Sequence, residues 1–186
     1  MNTPRKQKGF TIIETLVAIT VLMIAVAGPL VVASKGLFGA LASKDQMTAS
    51  YLAQESMEVI KNMRDNNVNN ITQGNSGNWL DGLGNCISSA SANNYCDASA
   101  IDGQSILSLS GPIQLTNNNG YYSHSGTSKS IFYRYFTMTG ANCGPDQSGQ
   151  TQGSDDECLV TVTVKWNEGT TPYEVDLSSE ITDSTR

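Results

Sequence analysis

The residues of this chain that could do chemistry are few. Glu14 is the only ionisable side chain in the 24 residues from Phe10 to Ala33. An acid within a membrane span costs about 3 kcal/mol even on lenient scales, so Glu14 reads as functional and should be compensated by some partner. The bland alternative is a first-turn acid beside the helix dipole, worth less than about 1 kcal/mol if exposed. Cys86, Cys96, Cys143 and Cys158 are even in number, as expected for disulfides in an oxidising compartment. Four cysteines permit three connectivities. Local pairing, Cys86 with Cys96 and Cys143 with Cys158, is expected because each bridge closes a short polar loop, with a gain of roughly 3 kcal/mol apiece. A zinc site would need closer ligand spacing than these cysteines and the single histidine, His124, provide, so neither metal nor cofactor is expected. His124 has no nucleophile motif or paired acid beside it and reads as a surface residue. Asp146, Asp155, Asp156 and Glu157 share one polar loop without the spacing of a calcium loop, which suggests a solvated acidic segment. Nucleophile-elbow and phosphate-loop patterns are absent, and no enzyme is expected.

The element that must position Glu14 is the apolar run itself. Its length exceeds the roughly 20 residues that a helix needs to cross a bilayer core. Arg5, Lys6 and Lys8 precede it with no acid among them. That flank should stay cytoplasmic, with the remainder of the chain outside, anchored by a single pass. An ordinary secretory signal cut before Ser34 is the competing reading, but its apolar region would normally be shorter and would lack an acid.

Lys8-Gly9-Phe10-Thr11-Ile12-Ile13-Glu14, behind a short basic leader, resembles the class III signal of type IV prepilins and type II secretion pseudopilins. The resemblance implies cleavage between Gly9 and Phe10 by prepilin peptidase, N-methylation of the Phe10 amine, and a role for Glu14 in assembly with other pilin or pseudopilin subunits through inner-membrane machinery. Chemistry agrees with those roles. Gly9 has no side chain to obstruct a protease. The Phe10 ammonium would need a counter-ion near bilayer depth, and a neighbour's Glu14 could supply it, fixing register between subunits. Membrane lipid would be the partner before assembly. The resemblance also implies passage from the bacterial inner membrane to an extracytoplasmic filament or the cell surface.

Beyond the span, Gly28-Pro29 is expected to break or kink the helix, because Pro29 donates no hydrogen bond to the carbonyl of Ala25. Leu37, Leu41, Thr48, Leu52, Val59, Ile60 and Met63 then recur at helical spacings beside charged residues. Phe10 to Arg64 should form one interrupted helix about 80 Å long. Residues 51–67 more loosely resemble the corresponding segment of minor pilins and pseudopilins of the V and I types. The helix should stop near Asn66-Asn67. Residues 66–104 read as a loop region anchored by Trp79, Leu80 and Leu83. Asn70-Ile71-Thr72 matches a glycosylation acceptor, a common pattern.

Strand signals follow at 105–109, 112–115 and 130–139, and most clearly at 159–166 and 172–177. In the last two, Val160, Val162, Val164 and Trp166, then Tyr173, Val175 and Leu177, alternate with polar residues, as in an antiparallel hairpin with one wet face. The expected fold is α+β and pilin-like: a long N-terminal helix, half transmembrane and half amphipathic, packed against a small antiparallel β-sheet. Its expected divisions are a leader at 1–9, a membrane or filament-core helix at 10–33, an amphipathic continuation at 34–66 and a disulfide-stapled head at 67–186. The net charge of −6 opposes general nucleic-acid binding. Two functions fit: a structural, minor subunit of a type IV pilus or secretion pseudopilus, or a membrane-tethered binding or adhesion protein that does not polymerise.

Overall fold

The computed structural model describes residues 9–88, 94–101, 105–140, 143 and 157–184. The basic leader residues Arg5, Lys6 and Lys8, and Asp146, Asp155 and Asp156 of the acidic loop, lie outside the described residues. Among the described residues, one helix, α1 (Ile12–Thr72), is followed by a 3-10 turn (Gly84–Cys86) and seven strands. These are β1 (Tyr95–Ser99), β2 (Ser105–Leu109), β3 (Ile113–Asn118), β4 (Tyr121–Ser123), β5 (Lys129–Thr139), β6 (Glu157–Glu168) and β7 (Thr171–Thr182). All seven pair antiparallel in one sheet. The chain divides into two compact units, Met1–Lys44 and Asp45–Arg186, with the division falling inside α1.

In the first unit the break expected at Gly28-Pro29 is absent. The helix runs without interruption through both residues. A proline removes one helical hydrogen bond, but the apolar residues on both sides continue the ladder around it. The Thr15, Thr20, Ser34 and Ser43 hydroxyls donate to the carbonyls of Ile12, Val17, Leu30 and Gly39. These polar side chains therefore satisfy themselves within the helix, as an apolar medium requires.

In the second unit, α1 turns one stripe toward the sheet: Ala49, Leu52, Ala53, Ser56, Met57, Val59 and Ile60 are buried. The stripe uses more small residues than the expected one, Ala49, Ala53 and Ser56 among them. Leu37 and Leu41, expected in it, belong to the first unit and are exposed. The helix also ends later than expected, at Thr72 rather than near Asn66-Asn67. Val68 and Ile71 pack against the core, and the Asn67 amide donates to the carbonyls of Trp79 and Asp81. Tertiary contacts thus outweigh the weak helix propensity of the asparagines.

The sheet is built around β5. One edge of β5 pairs with β6, from Tyr133↔Lys165 to Thr139↔Leu159, and β6 pairs with β7 over its whole length. The other edge is shared: β3 pairs with its first half, and β1 meets it at Cys96↔Phe136. Phe132, Phe136 and Met138 of β5 join Val160, Val162, Val164 and Trp166 of β6 in the core. Each such burial contributes about 1.5–3 kcal/mol of transfer free energy. β1 lies within a stretch expected to be loop. It pairs with β2 from Tyr95↔Leu109 to Ser99↔Ser105. A two-residue turn with Asn119 (φ 52°) and Gly120 (φ 91°) joins β3 to β4, a conformation that suits asparagine and glycine. Disulfides join Cys86 to Cys96 and Cys143 to Cys158, each with S–S 2.06 Å.

Candidate functional site

The N-terminal segment is built from local rules. Gly9 and Phe10 precede the helix and are exposed. Thr11 caps α1: its hydroxyl accepts from the Glu14 amide at 3.3 Å, and its carbonyl accepts from the amides of Glu14 and Thr15 at 3.1 and 3.2 Å. A threonine at this position satisfies amides that the first turn leaves without partners. Glu14 therefore sits in the first turn, where the helix dipole favours a negative charge. Among the described residues, no atom from elsewhere comes within 4 Å of a Cβ built on Gly9. Phe10, Ile12, Ile13, Leu16, Val17 and Ile19 are all exposed, at 53–87% of their surface. α1 holds a window of mean hydropathy 2.7, long and apolar enough to cross a membrane, and none of that window is buried. Surface of this kind calls for an apolar partner.

Residues 4–28 match the family model of the prokaryotic N-terminal methylation motif. The match covers Gly9, Phe10, Glu14 and Gly28, and stops one residue before Pro29. It supports a type IV pilin-like class III signal and a precursor processed by prepilin peptidase. The motif implies processing by prepilin peptidase and assembly with other pilins. Together with the exposed apolar helix it fits a protein anchored in the inner membrane and later exposed at the surface. Comparisons with curated proteins and with solved structures found no match.

A second cluster lies in the head. Arg134 of β5 is fully buried at an inward position between Phe132 and Phe136. Its Nε donates to Asp97 Oδ1 at 2.7 Å and its Nη2 to Asp97 Oδ2 at 3.1 Å. Its Nη1 donates to the Leu52 carbonyl at 3.2 Å and to Glu55 Oε2 at 3.0 Å. Burial opposes the guanidinium charge, but Asp97 and Glu55 outweigh it and hold the Arg134 pKa above its ordinary value. Asp97 is likewise fully buried and also contacts His124 Nε2. His124 is thus not the surface residue expected: its side chain is only 13% exposed. Glu55 also accepts from the Ala100 amide at 3.1 Å. One arginine thereby ties α1, β1 and β5 together. The sequence reading missed this cluster, although an arginine in phase with the apolar positions of β5 signals a buried cation that needs a carboxylate.

The cysteines and Glu157 are positioned structurally. Cys86 and Cys96 are buried and link the 3-10 turn to β1. Glu157 is exposed at the first position of β6, and its neighbour Cys158 anchors the second bridge.

Proposed function

We propose that this chain is a minor structural subunit of a type IV pilus or type II secretion pseudopilus, cleaved between Gly9 and Phe10 and methylated on the new Phe10 amine. Residues 10–33 serve first as the membrane anchor and then as the filament-core helix, 34–66 continue the spine, and 67–186 form the displayed head. The observation that carries this reading is Glu14, the one ionisable side chain between Phe10 and Ala33, set in the first turn of α1 inside the methylation motif and on an exposed apolar stretch. In an assembled filament, the carboxylate faces the terminal ammonium of a neighbouring subunit. Each group is costly to bury alone, so the pair favours one register of subunits over others. The looser resemblance of residues 51–67 to minor pilins and pseudopilins supports the minor role. The acidic surface supports a protein partner over a nucleic acid.

The test is the mature N-terminus and its fate. Mass spectrometry of the N-terminal peptide should find N-methyl-Phe10, and Gly9→Leu should leave the precursor uncut. The cleaved form should appear in filaments sheared from the cell surface. A terminus at Ser34, or a cleaved chain found only as a membrane monomer, would refute the assignment.

A further inference from the structure

β7 leaves one long side of the sheet open. Among the described residues it pairs only with β6, in register from Glu157↔Thr182 to Glu168↔Thr171 without a bulge. Alternate residues of an edge strand turn their N–H and C=O groups away from the neighbour, so β7 presents a row of backbone donors and acceptors that the sheet does not use. The other two edges are smaller: β2 has five residues and no charged side chain, and β4 has three residues. Sheets often close an edge by keeping it short, bulging it or placing lysines on it. β7 has 12 residues, no bulge and no lysine. Pro172 blocks pairing only at its start, and at its end the Arg64 Nη1 donates to the Thr182 carbonyl at 3.2 Å. The open stretch therefore runs from Tyr173 to Ile181.

Register sorts the side chains of that stretch onto two faces. Tyr173, Val175, Leu177 and Ile181 lie opposite Trp166, Val164, Val162 and Cys158, on the core face. Ile181 is buried, but Val175 and Leu177 are only half-buried and Tyr173 is 41% exposed, which leaves an apolar margin along the edge. Glu174, Asp176, Ser178 and Glu180 occupy the other face and are all exposed. Lys165 Nζ stands 3.2 Å from Glu174 Oε2 and partly offsets it. Asp176 accepts from the Thr163 hydroxyl at 2.6 Å and Glu180 lies opposite Leu159, so neither has a cation across the ladder. Successive positions on one face are about 7 Å apart. A strand laid beside β7 would thus meet carboxylates at most positions of one face and apolar side chains on the other.

We propose that the β7 edge is a docking site for an extended segment of another protein, one in which basic and apolar residues alternate, and that this segment joins the sheet as an added strand. Its backbone pairs with the outward groups of β7. Its basic side chains stand beside Glu174, Asp176 and Glu180, and its apolar ones cover Tyr173, Val175 and Leu177. In this mode of recognition the main chains supply affinity and the alternating side chains supply selectivity. A folded partner with a basic surface would meet the carboxylates but would leave the outward amides unused. The site lies wholly within the second unit and needs neither cleavage nor polymerisation, so it is independent of the filament reading.

The experiment uses the full chain, ¹⁵N-labelled and held in phosphatidylcholine nanodiscs, which carry no net charge, and follows backbone hydrogen exchange by NMR. The probe is a peptide of alternating lysine and valine, as long as the open stretch. At about 1 mM it should slow exchange at the outward amides of β7 by about tenfold or more, as expected for a dissociation constant near or below about 0.1 mM. The same peptide N-methylated along its backbone keeps its charge but cannot pair, and a peptide of the same composition with its lysines grouped at one end loses the alternation. Neither should slow exchange by more than about twofold. Glu174→Gln combined with Glu180→Gln, at exposed positions, should weaken binding of the alternating peptide about fivefold or more without lowering Tm. The proposal is overturned if the alternating peptide leaves β7 exchange unchanged, if either control peptide protects β7 equally, if protection falls on β2 instead, or if the double variant binds as the wild type does.

Discussion

Replacing Asp97 with asparagine should be among the costliest single changes in the head. The substitution preserves volume, so no cavity forms, and what is lost is charge and acceptor capacity beside a fully buried arginine. Two of the four hydrogen bonds that the Arg134 guanidinium makes among the described residues go to Asp97. Glu55 remains at 3.0 Å but is partly exposed, so the guanidinium keeps some compensation. Breaking a buried pair typically costs 3–5 kcal/mol, and the surviving Glu55 contact places Asp97→Asn near the lower end, at about 3 kcal/mol. In a unit of this size that loss corresponds to a fall in Tm of about 10 °C. The double variant Asp97→Leu with Arg134→Met should recover most of it, to within about 1 kcal/mol of the parent, because a well-packed apolar pair needs no desolvated charge. Thermal unfolding of the mature chain, followed by circular dichroism with the disulfides intact, measures all three proteins. A loss below about 1 kcal/mol for Asp97→Asn, or a double variant no more stable than the single one, would refute the claim that uncompensated charge sets the cost.

Glu14→Val should leave processing and membrane insertion intact but sharply reduce incorporation into sheared filaments, since the neighbour's ammonium then lacks its partner; quantitative immunoblotting of filament and membrane fractions measures this. Replacing Cys143 and Cys158 together with serine should cost roughly 3 kcal/mol, read as a lower denaturation midpoint, because the loop they close spans 15 residues. Gly140→Ala should destabilise the head by about 1–3 kcal/mol in the same assay, because the residue has φ 157° and a Cβ there would stand 2.9 Å from the Glu157 carbonyl oxygen.

Much of this fold was legible because strict alternation is a strong signal. Val160, Val162, Val164 and Trp166 marked β6 from the sequence, and the structure buries all four. The N-terminal run was readable for a similar reason, since a long apolar stretch with one acid has few structural uses. β1 was not legible. Tyr95-Cys96-Asp97-Ala98-Ser99 has no period, and three of its buried side chains are polar or small for reasons found elsewhere: Cys96 bonds to Cys86, Asp97 pairs with Arg134, and Ala98 packs in the core. The β3–β4 turn could have been found, because Asn119-Gly120 between Leu115 and Tyr122 is a strong hairpin signal. For the buried cluster the sequence announced only half: Arg134 falls in phase with Phe132 and Phe136, but which carboxylates answer it is decided by the packing of α1, β1 and β5.

Among the described residues, β7 is the terminal strand of the sheet on one side, pairing only with β6 along its length. A free edge of that kind is a template on which another chain can zip up. Pro172 near its start lacks an amide to offer, and Glu174, Asp176 and Glu180 alternate along its exposed positions. Two such edges brought together would set carboxylates against carboxylates. Between neighbouring copies of the head, this repulsion would oppose edge-to-edge aggregation.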